Sequence, residues 1–274
     1  MLVRLAFLLA LITLTPARAG AVVLTSGSSE LTIQDSSGIV TVWRTEPGGS
    51  DNVFLSSYYL RLDGQSGEGT FQDIFGDPVV SQPSPDRLSL SYGNGSIEGR
   101  LDYAIFGDLP SGRSTMARSA TIINRGTDPL NFTLFDYTDL DIRFDPTNQR
   151  DTAVLTQPGV IETNSASAPI SIVTTVTPTP DQYQISDFIT LYLAFFLDTD
   201  GATTLPNTPA LGVPFPVPPG DNAFAFGWEV SLAPGESFTA SHSSTLTAIP
   251  IPATALLMLT GLAALAFGRR RLTT

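Results

Sequence analysis

The sequence predicts an all-β protein, an antiparallel β-sandwich with one short helix, and three observations carry that expectation. From Glu30 to Thr247 apolar residues recur at every second position in short runs. Clusters of Gly, Pro, Asn and Asp punctuate the runs at roughly ten-residue spacing. One stretch, Phe188, Leu191, Tyr192 and Phe195, has helical spacing instead. Strands with one dry face must bury it against a second sheet, which predicts a single sandwich of about ten to fourteen strands.

Taken in order, Leu31 and Ile33 alternate with Glu30, Thr32 and Gln34, and Asp35-Ser36-Ser37-Gly38 turns the chain into a β-branched strand, Ile39 to Arg44. Val53 to Leu62 is a longer apolar strand. After an interval rich in Gly, Ser and Pro from Gly64 to Pro85, Leu88, Leu90 and Tyr92 alternate with serines, and Asn94-Gly95 reads as a two-residue hairpin turn with both residues at positive φ. The following strand places Ile97, Leu101, Tyr103 and Ile105 on one face and Glu98, Arg100 and Asp102 on the other.

Ser114 to Asn124 and Leu130 to Phe144 are expected to pair with each other around Arg125 to Pro129. Asp136 and Thr138 fall on the apolar parity of the second strand; a bulge near Tyr137 would re-aim them, and otherwise Asp136 is a buried carboxylate in need of hydrogen bonds or a cation. Ala153 to Val176 reads as short strands split at Pro158-Gly159 and Ala168-Pro169. A helix is expected from Asp187 to Leu197 with Ser186 as its N-cap, followed by a stiff, proline-rich loop through Pro219. Phe224 to Leu232 alternates bulky residues with Ala223, Ala225 and Gly227, and this small face implies close approach by another element. Ser237 to Thr247 is the last strand.

The two ends read differently. Residues 1–19 combine Arg4, an apolar core and the small-x-small site Ala17-Arg18-Ala19, the pattern of a secretory signal peptide with its N-terminal signal helix. Residues 249–274 combine Ile249-Pro250-Ile251-Pro252-Ala253, an uncharged apolar run that forms a C-terminal hydrophobic helix with transmembrane character, and Arg269-Arg270-Arg271. The domain organisation is thus a signal peptide at 1–19, a β-sandwich body at 20–248 and a tail at 249–274.

The chain has 26 acids, 14 arginines, no lysine and no cysteine. Both ends lack acids and hold five of the arginines, so the body carries 26 acids against 9 arginines. Such a surface repels nucleic acid. Without cysteine there is no thiolate nucleophile, no disulfide and no sulfur-ligated metal.

The tail, with Ile249, Pro250, Pro252, Ala253 and the three arginines, resembles the PEP-CTERM sorting signal in its VPLPA-CTERM-like spelling. That resemblance implies an exosortase-type processing enzyme as partner, transient anchoring in the inner membrane, and export to the cell surface or extracellular space of an exopolysaccharide-making bacterium. It also implies a structural or adhesive, non-enzymatic role in an exopolysaccharide matrix. The alternative is a secreted carbohydrate-active enzyme or a calcium-stabilised carbohydrate-binding module on the same scaffold.

Chemistry in the body is sparse. No G-x-S-x-G elbow accompanies His242, which shares parity with Phe238, Ala240 and Leu246, so a core position is expected for it. No catalytic residue and no cofactor is assigned. Asp139, Asp141 and Asp145 project from one face of one strand as a solvated row that could take calcium as a surface site. Trp43, Tyr58, Tyr59, Tyr103, Tyr137 and Tyr183 are candidate sugar-stacking aromatics or core residues.

Overall fold

Alternation along the sequence becomes two facing antiparallel sheets. A computed structural model describes residues 20–45, 49–108, 112–142, 151–156, 159–164, 170–196, 201–210 and 212–248. Residues 1–19, expected to be a signal peptide, residues 249–274, expected to hold a sorting motif and a hydrophobic helix, and Asp145 lie outside the described residues. Among the described residues no helix is long and apolar enough to cross a membrane.

In chain order the strands are β1 (Ala21–Ser26), β2 (Ser29–Gln34), β3 (Val40–Arg44), β4 (Leu55–Leu62), β5 (Gly69–Thr70), β6 (Val79–Ser84), β7 (Arg87–Gly93), β8 (Ile97–Asp108), β9 (Arg113–Asn124), β10 (Leu130–Asp139), β11 (Asp151–Thr156), β12 (Gly159–Asn164), β13 (Ile170–Thr177), β14 (Gln182–Asp187), β15 (Pro214–Gly220), β16 (Asn222–Leu232) and β17 (Ser237–Ala248). Two helices interrupt them, α1 (Phe71–Phe75) and α2 (Phe188–Phe196). An eight-stranded sheet has the order β1-β2-β3-β4-β10-β16-β14, with β5 on β4, and a nine-stranded sheet the order β15-β11-β12-β13-β17-β9-β8-β7-β6. The strand count exceeds the expected range because stretches inside the intervals read as loops, at Gly69 to Thr70, Val79 to Ser84 and Pro214 to Gly220, also pair as strands.

Two expectations about connections are corrected. The Asn94-Gly95 turn joins β7 to β8, but only Gly95 takes a positive φ, while Asn94 Oδ1 accepts from the Ser96 and Ile97 amides. More consequentially, β9 and β10 do not pair: β9 lies between β8 and β17, and β10 between β4 and β16. The buried side chain of Asn124 makes the corner, donating from Nδ2 to the carbonyls of Asp128 and Leu232 while its Oδ1 accepts from Gly126. Its backbone is bonded in turn to Glu236 and Gly235, so one residue fastens both crossings between sheets, β9 to β10 and β16 to β17.

Between the sheets lies the main core, with Trp43, Leu60, Leu134, Phe224, Phe226 and Trp228 from one side and Leu101, Tyr103, Met116, Ala120 and Ile122 from the other. A second cluster sits on the outer face of the eight-stranded sheet, where Leu191, Ala194 and Phe195 of α2 pack over Tyr59, Phe135, Tyr137, Ala223 and Ala225. The small face of β16 is what lets α2 approach, and a Cβ at Gly227 would meet the Phe135 ring at 3.3 Å. Asp187, not Ser186, caps α2, its carboxylate accepting from the Thr190 amide. The unexpected α1 begins with a capping box between Thr70 and Asp73.

Asp136 settles the question posed by its parity. The register of β10 is continuous from Leu130 to Asp139 against β16 and from Phe132 to Asp139 against β4, without a bulge, and Asp136 is fully buried in the interior. Its carboxylate accepts from Arg118 Nη2 of the opposite sheet and, at 2.7 Å, from His242 Nδ1. Arg118 also donates to Thr138 Oγ1 at 2.7 Å and lies over the Tyr58 ring at 4.7 Å, while its Nε and Nη1 have no protein partner. Removing one member of such a pair strands the other charge in the interior, a cost of about 3 to 5 kcal/mol. Asp136→Asn should therefore lower unfolding stability by about that amount in urea titrations, and the double variant Asp136→Leu with Arg118→Met should recover much of it. Equal stability of Asp136→Asn and wild type would show that the pair contributes nothing.

Candidate functional site

Three polar groupings survive the packing of the sheets, and they differ in what reaches solvent. The first is the interior network itself. Burial holds the His242 pKa below its ordinary value, while Asp136 pulls it up and Arg118 pushes it down. A neutral ring fits the contacts: Nδ1–H donates to Asp136, and Nε2 accepts from Ser244 Oγ at 2.7 Å, which pairs with Thr174 Oγ1 at 2.6 Å. Acid, histidine and serine are thus aligned, but Asp136, Ser244 and Thr174 are sealed between the sheets and no substrate can reach the hydroxyl. The chain is structural, as the parity of His242 implies. Ser244 was legible as its same-face neighbour two residues on.

The second grouping is acidic. Asp139 and Asp141 do not form a solvated row: both are buried, and they meet Asp221, from the turn between β15 and β16, with one carboxylate oxygen of each within 4.8 Å of the other two. Sequence reasoning missed Asp221 because the register that brings the start of β16 beside the end of β10 is tertiary. Burial pushes Asp141 up to about 6, with Asp221 and Asp51 adding repulsion, and burial raises Asp221 as well. Three carboxylates this close could hold a hard divalent cation through their oxygens, or share a proton.

The third grouping is open. On the outer face of the eight-stranded sheet, beyond the area that α2 covers, is a cleft of about 440 Å³. Its floor is two lateral rows set by strand register. Arg61, Thr133 and Glu229 are partners across β4, β10 and β16, and Asp63, Asn131 and Ser231 form the next row outward. Rows of this kind are spaced by about 4.8 Å between strands and about 7 Å along them.

Several contacts fix the floor. Arg61 Nη1 donates to buried Glu68 and to the Thr203 carbonyl at 2.9 Å, its Nη2 donates to Thr133 Oγ1 at 3.3 Å, and the guanidinium stands over Phe135. Glu68 also accepts from the Thr203 amide and hydroxyl, which ties the segment after residue 201 to the cleft wall. Gln182 Nε2 donates to Glu229 Oε1 at 2.7 Å while its Oε1 accepts from the Leu205 amide, so Glu229 is oriented by the same segment. Guanidinium, carboxylates, a carboxamide and hydroxyls are presented together on a rigid sheet, with Glu229, Asp63, Asn131 and Ser231 exposed. Of the aromatics considered for sugar stacking, Trp43, Tyr58, Tyr59, Tyr103 and Tyr137 are buried, and only Tyr183 is half-exposed.

No protein-family model matches the sequence, and no curated protein does. The architecture has counterparts among solved structures. It is similar to a candidate aldose 1-epimerase of Escherichia coli K12, with a TM-score of 0.53 and 13% identity over 84% of this chain and 99% of that one. An aldose epimerase homologue of C. elegans aligns with a TM-score of 0.50 and 10% identity, over 84% of this chain and 99% of its own. A bacterial glucoamylase complexed with acarbose gives a TM-score of 0.53 and 12% identity over 86% of this chain, which spans 33% of that larger protein.

The fold is therefore the two-sheet sandwich of aldose epimerase-like structures. Identities this low establish architecture alone. The expectation of a non-enzymatic, structural or adhesive matrix protein is corrected to this extent: the solved structures that share the sandwich are named as a candidate aldose 1-epimerase, an aldose epimerase homologue and a glucoamylase.

The acid cluster has a pH signature. A carboxyl whose folded-state pKa lies above its unfolded value favours the fold while protonated, so for Asp141 stability is full below its ordinary 3.8 and falls as pH rises towards about 6. His242, with a lowered pKa, works in the opposite sense, losing stability as pH falls below its ordinary 6.5. Comparing Asp141→Asn with wild type in chelator isolates the first effect: the two should unfold alike near pH 3.5, and the variant should be the more stable at pH 7. A variant less stable than wild type at pH 7 would refute the assignment.

Proposed function

We propose that the protein is carbohydrate-active and that it holds a sugar in the cleft floored by Arg61, Thr133 and Glu229. The observation that carries this reading is the pair of lateral polar rows. Vicinal hydroxyls of a saccharide need donors and acceptors at fixed separations, and forked or planar groups on a rigid sheet supply them without loss of conformational freedom. The likeness of the fold to aldose epimerase-type structures and to part of a glucoamylase supports the same class of ligand.

Two exposed carboxylates, Asp63 and Glu229, stand at opposite corners of the floor, separated at their Cα atoms by about 12 Å from the strand spacings. Glu229 Oε1 is held from β14 by Gln182 Nε2, and the floor between the two acids, at Asn131 and Thr133, has the width of one sugar ring. That arrangement suits general acid–base chemistry at a hemiacetal: one carboxylate takes the proton of the anomeric hydroxyl, a protonated partner delivers one to the ring oxygen, the bond from ring oxygen to anomeric carbon breaks, and closure on the other face reverses both transfers. The reading includes work outside the cytoplasm, on the strength of the signal-like residues 1–19.

Freshly dissolved single anomers of common aldoses, followed by polarimetry and by proton NMR, test it. Anomer interconversion above the buffer rate is expected, and Glu229→Gln and Asp63→Asn should each lower the rate by about a hundredfold or more. Asn131→Ala should weaken saturation-transfer signals from the sugar. No acceleration and no binding with any aldose would remove the proposal.

A further inference from the structure

The opposite face of the molecule carries a second depression, about 520 Å³ in volume, on the outside of the nine-stranded sheet. Register explains its shape. Arg87, Ala104, Ala117, Ser243 and Thr175 form one lateral row across β7, β8, β9, β17 and β13, and Ser89, Asp102, Ser119, Ser241 and Thr177 form the next. Short side chains occupy the middle of both rows. The rows on either side are bulkier: Phe106 with the bonded pair Thr115 and Thr245 on one flank, and Arg100 with the bonded pair Thr121 and Thr239 on the other. The result is a channel that runs across five strands, about 19 Å from first to last, instead of a round pocket.

We infer that this channel is a second saccharide-binding surface, suited to a neutral polysaccharide chain lying across the strands. Length is the first reason, since the channel is far longer than one sugar ring. The floor is the second. Its serine and threonine hydroxyls both donate and accept, and Arg100, held by Ser89 at 3.1 Å and Asp102 at 2.9 Å, presents an exposed guanidinium beside a carboxylate. A third is Phe106, which leaves 44% of its surface exposed on the rim with the Arg87 guanidinium 6.0 Å from its ring centroid, an apolar platform edged by a donor. Charge decides between polymers: a chain of net charge -12 repels uronate or sulfated glycans at long range, and the channel holds no surplus of cations large enough to reverse that. The channel lies on the other sheet from the cleft and would operate whether or not the cleft turns over a sugar.

The test uses the full chain with cellohexaose, xylohexaose, maltohexaose and, as the anionic comparator, hexagalacturonate, in isothermal titration and saturation-transfer NMR. Ser241→Tyr fills the floor from an exposed position, and Phe106→Ala removes the platform; each should weaken binding of a neutral hexasaccharide by about tenfold or more. Glu229→Gln, in the cleft, should leave that affinity unchanged. Hexasaccharide binding lost in Glu229→Gln but kept in Ser241→Tyr would overturn the inference and leave the cleft reading standing. Preference for hexagalacturonate, absence of binding by all four oligomers, or a dimer in light scattering that Ser241→Tyr converts to monomer would each overturn it as well.

Discussion

The ion pair between Asp136 and Arg118 is the interaction on which the arrangement of the two sheets depends. One charge stands on β10 and the other on β9, facing each other across the core, and neither has access to water. Each is tolerable only while the sheets hold their relative position to within a hydrogen bond's tolerance, because a slip would leave two uncompensated charges in an apolar interior. Hydrophobic contacts alone would permit sliding, since Leu, Ile and Val repack at little cost. The pair, extended through His242, Ser244 and Thr174 into β17 and β13, removes that freedom over three adjacent strands of the larger sheet.

With the sheets fixed, side-chain size on the outer faces decides where the surface is open. On the eight-stranded sheet the run Ala223, Ala225 and Gly227 admits α2, whose Leu191 and Phe195 close over Tyr59, Phe135 and Tyr137. The next residue on that face is Glu229, too large and too polar for the helix to continue over it, and α2 ends before reaching it. The polar cleft is thus what remains of a sheet face whose other half is roofed. On the outer face of the nine-stranded sheet no helix packs among the described residues, and the depression there lies where short side chains are aligned across strands. One rule, small residues in register, produces a covered face on one side and an open channel on the other.

Much of this architecture was legible because alternation reports burial directly. Leu88, Leu90 and Tyr92, or Ile97, Leu101, Tyr103 and Ile105, could face only one way, and α2 was visible in the change of period. Pairing was less legible. Ser114 to Asn124 followed by Leu130 onward looks like a hairpin, and only the side-chain bonds of Asn124, made to carbonyls some four and a hundred residues away, convert it into a crossing between sheets. Asp136 was the informative anomaly: its wrong parity had two explanations, and the facing Arg118 and His242, also polar residues on dry parities, were the signal for the second. The cleft was hidden because its rows combine β4, β10 and β16, three strands whose adjacency no local pattern encodes. Asp139 and Asp141 misled in the opposite direction, since acids on a shared face suggest solvent until Asp221 and the start of β16 are placed beside them.

The separation between these groups bears on how a sandwich of this kind acquires chemistry. A charge in the interior must be fully partnered and so cannot react; a charge on a fully solvated face is screened and rarely oriented. The floor of the cleft lies between those limits. Arg61 is largely buried yet keeps its guanidinium at the surface, and its side-chain bonds to Glu68, Thr133 and the segment at Thr203 hold it in a single orientation. Glu229 is exposed yet oriented by Gln182, which the Leu205 amide holds in turn. Both sets of contacts are tied to residues 201–205, through the Thr203 carbonyl and the Leu205 amide, a stretch that forms no strand of either sheet. Variation in that stretch could re-aim the Arg61 and Glu229 side chains without disturbing the core, whereas any change at Asp136 reaches both sheets at once. In this architecture the freedom to alter specificity resides in the segment that braces the floor, and the floor itself is held to the geometry of the strands.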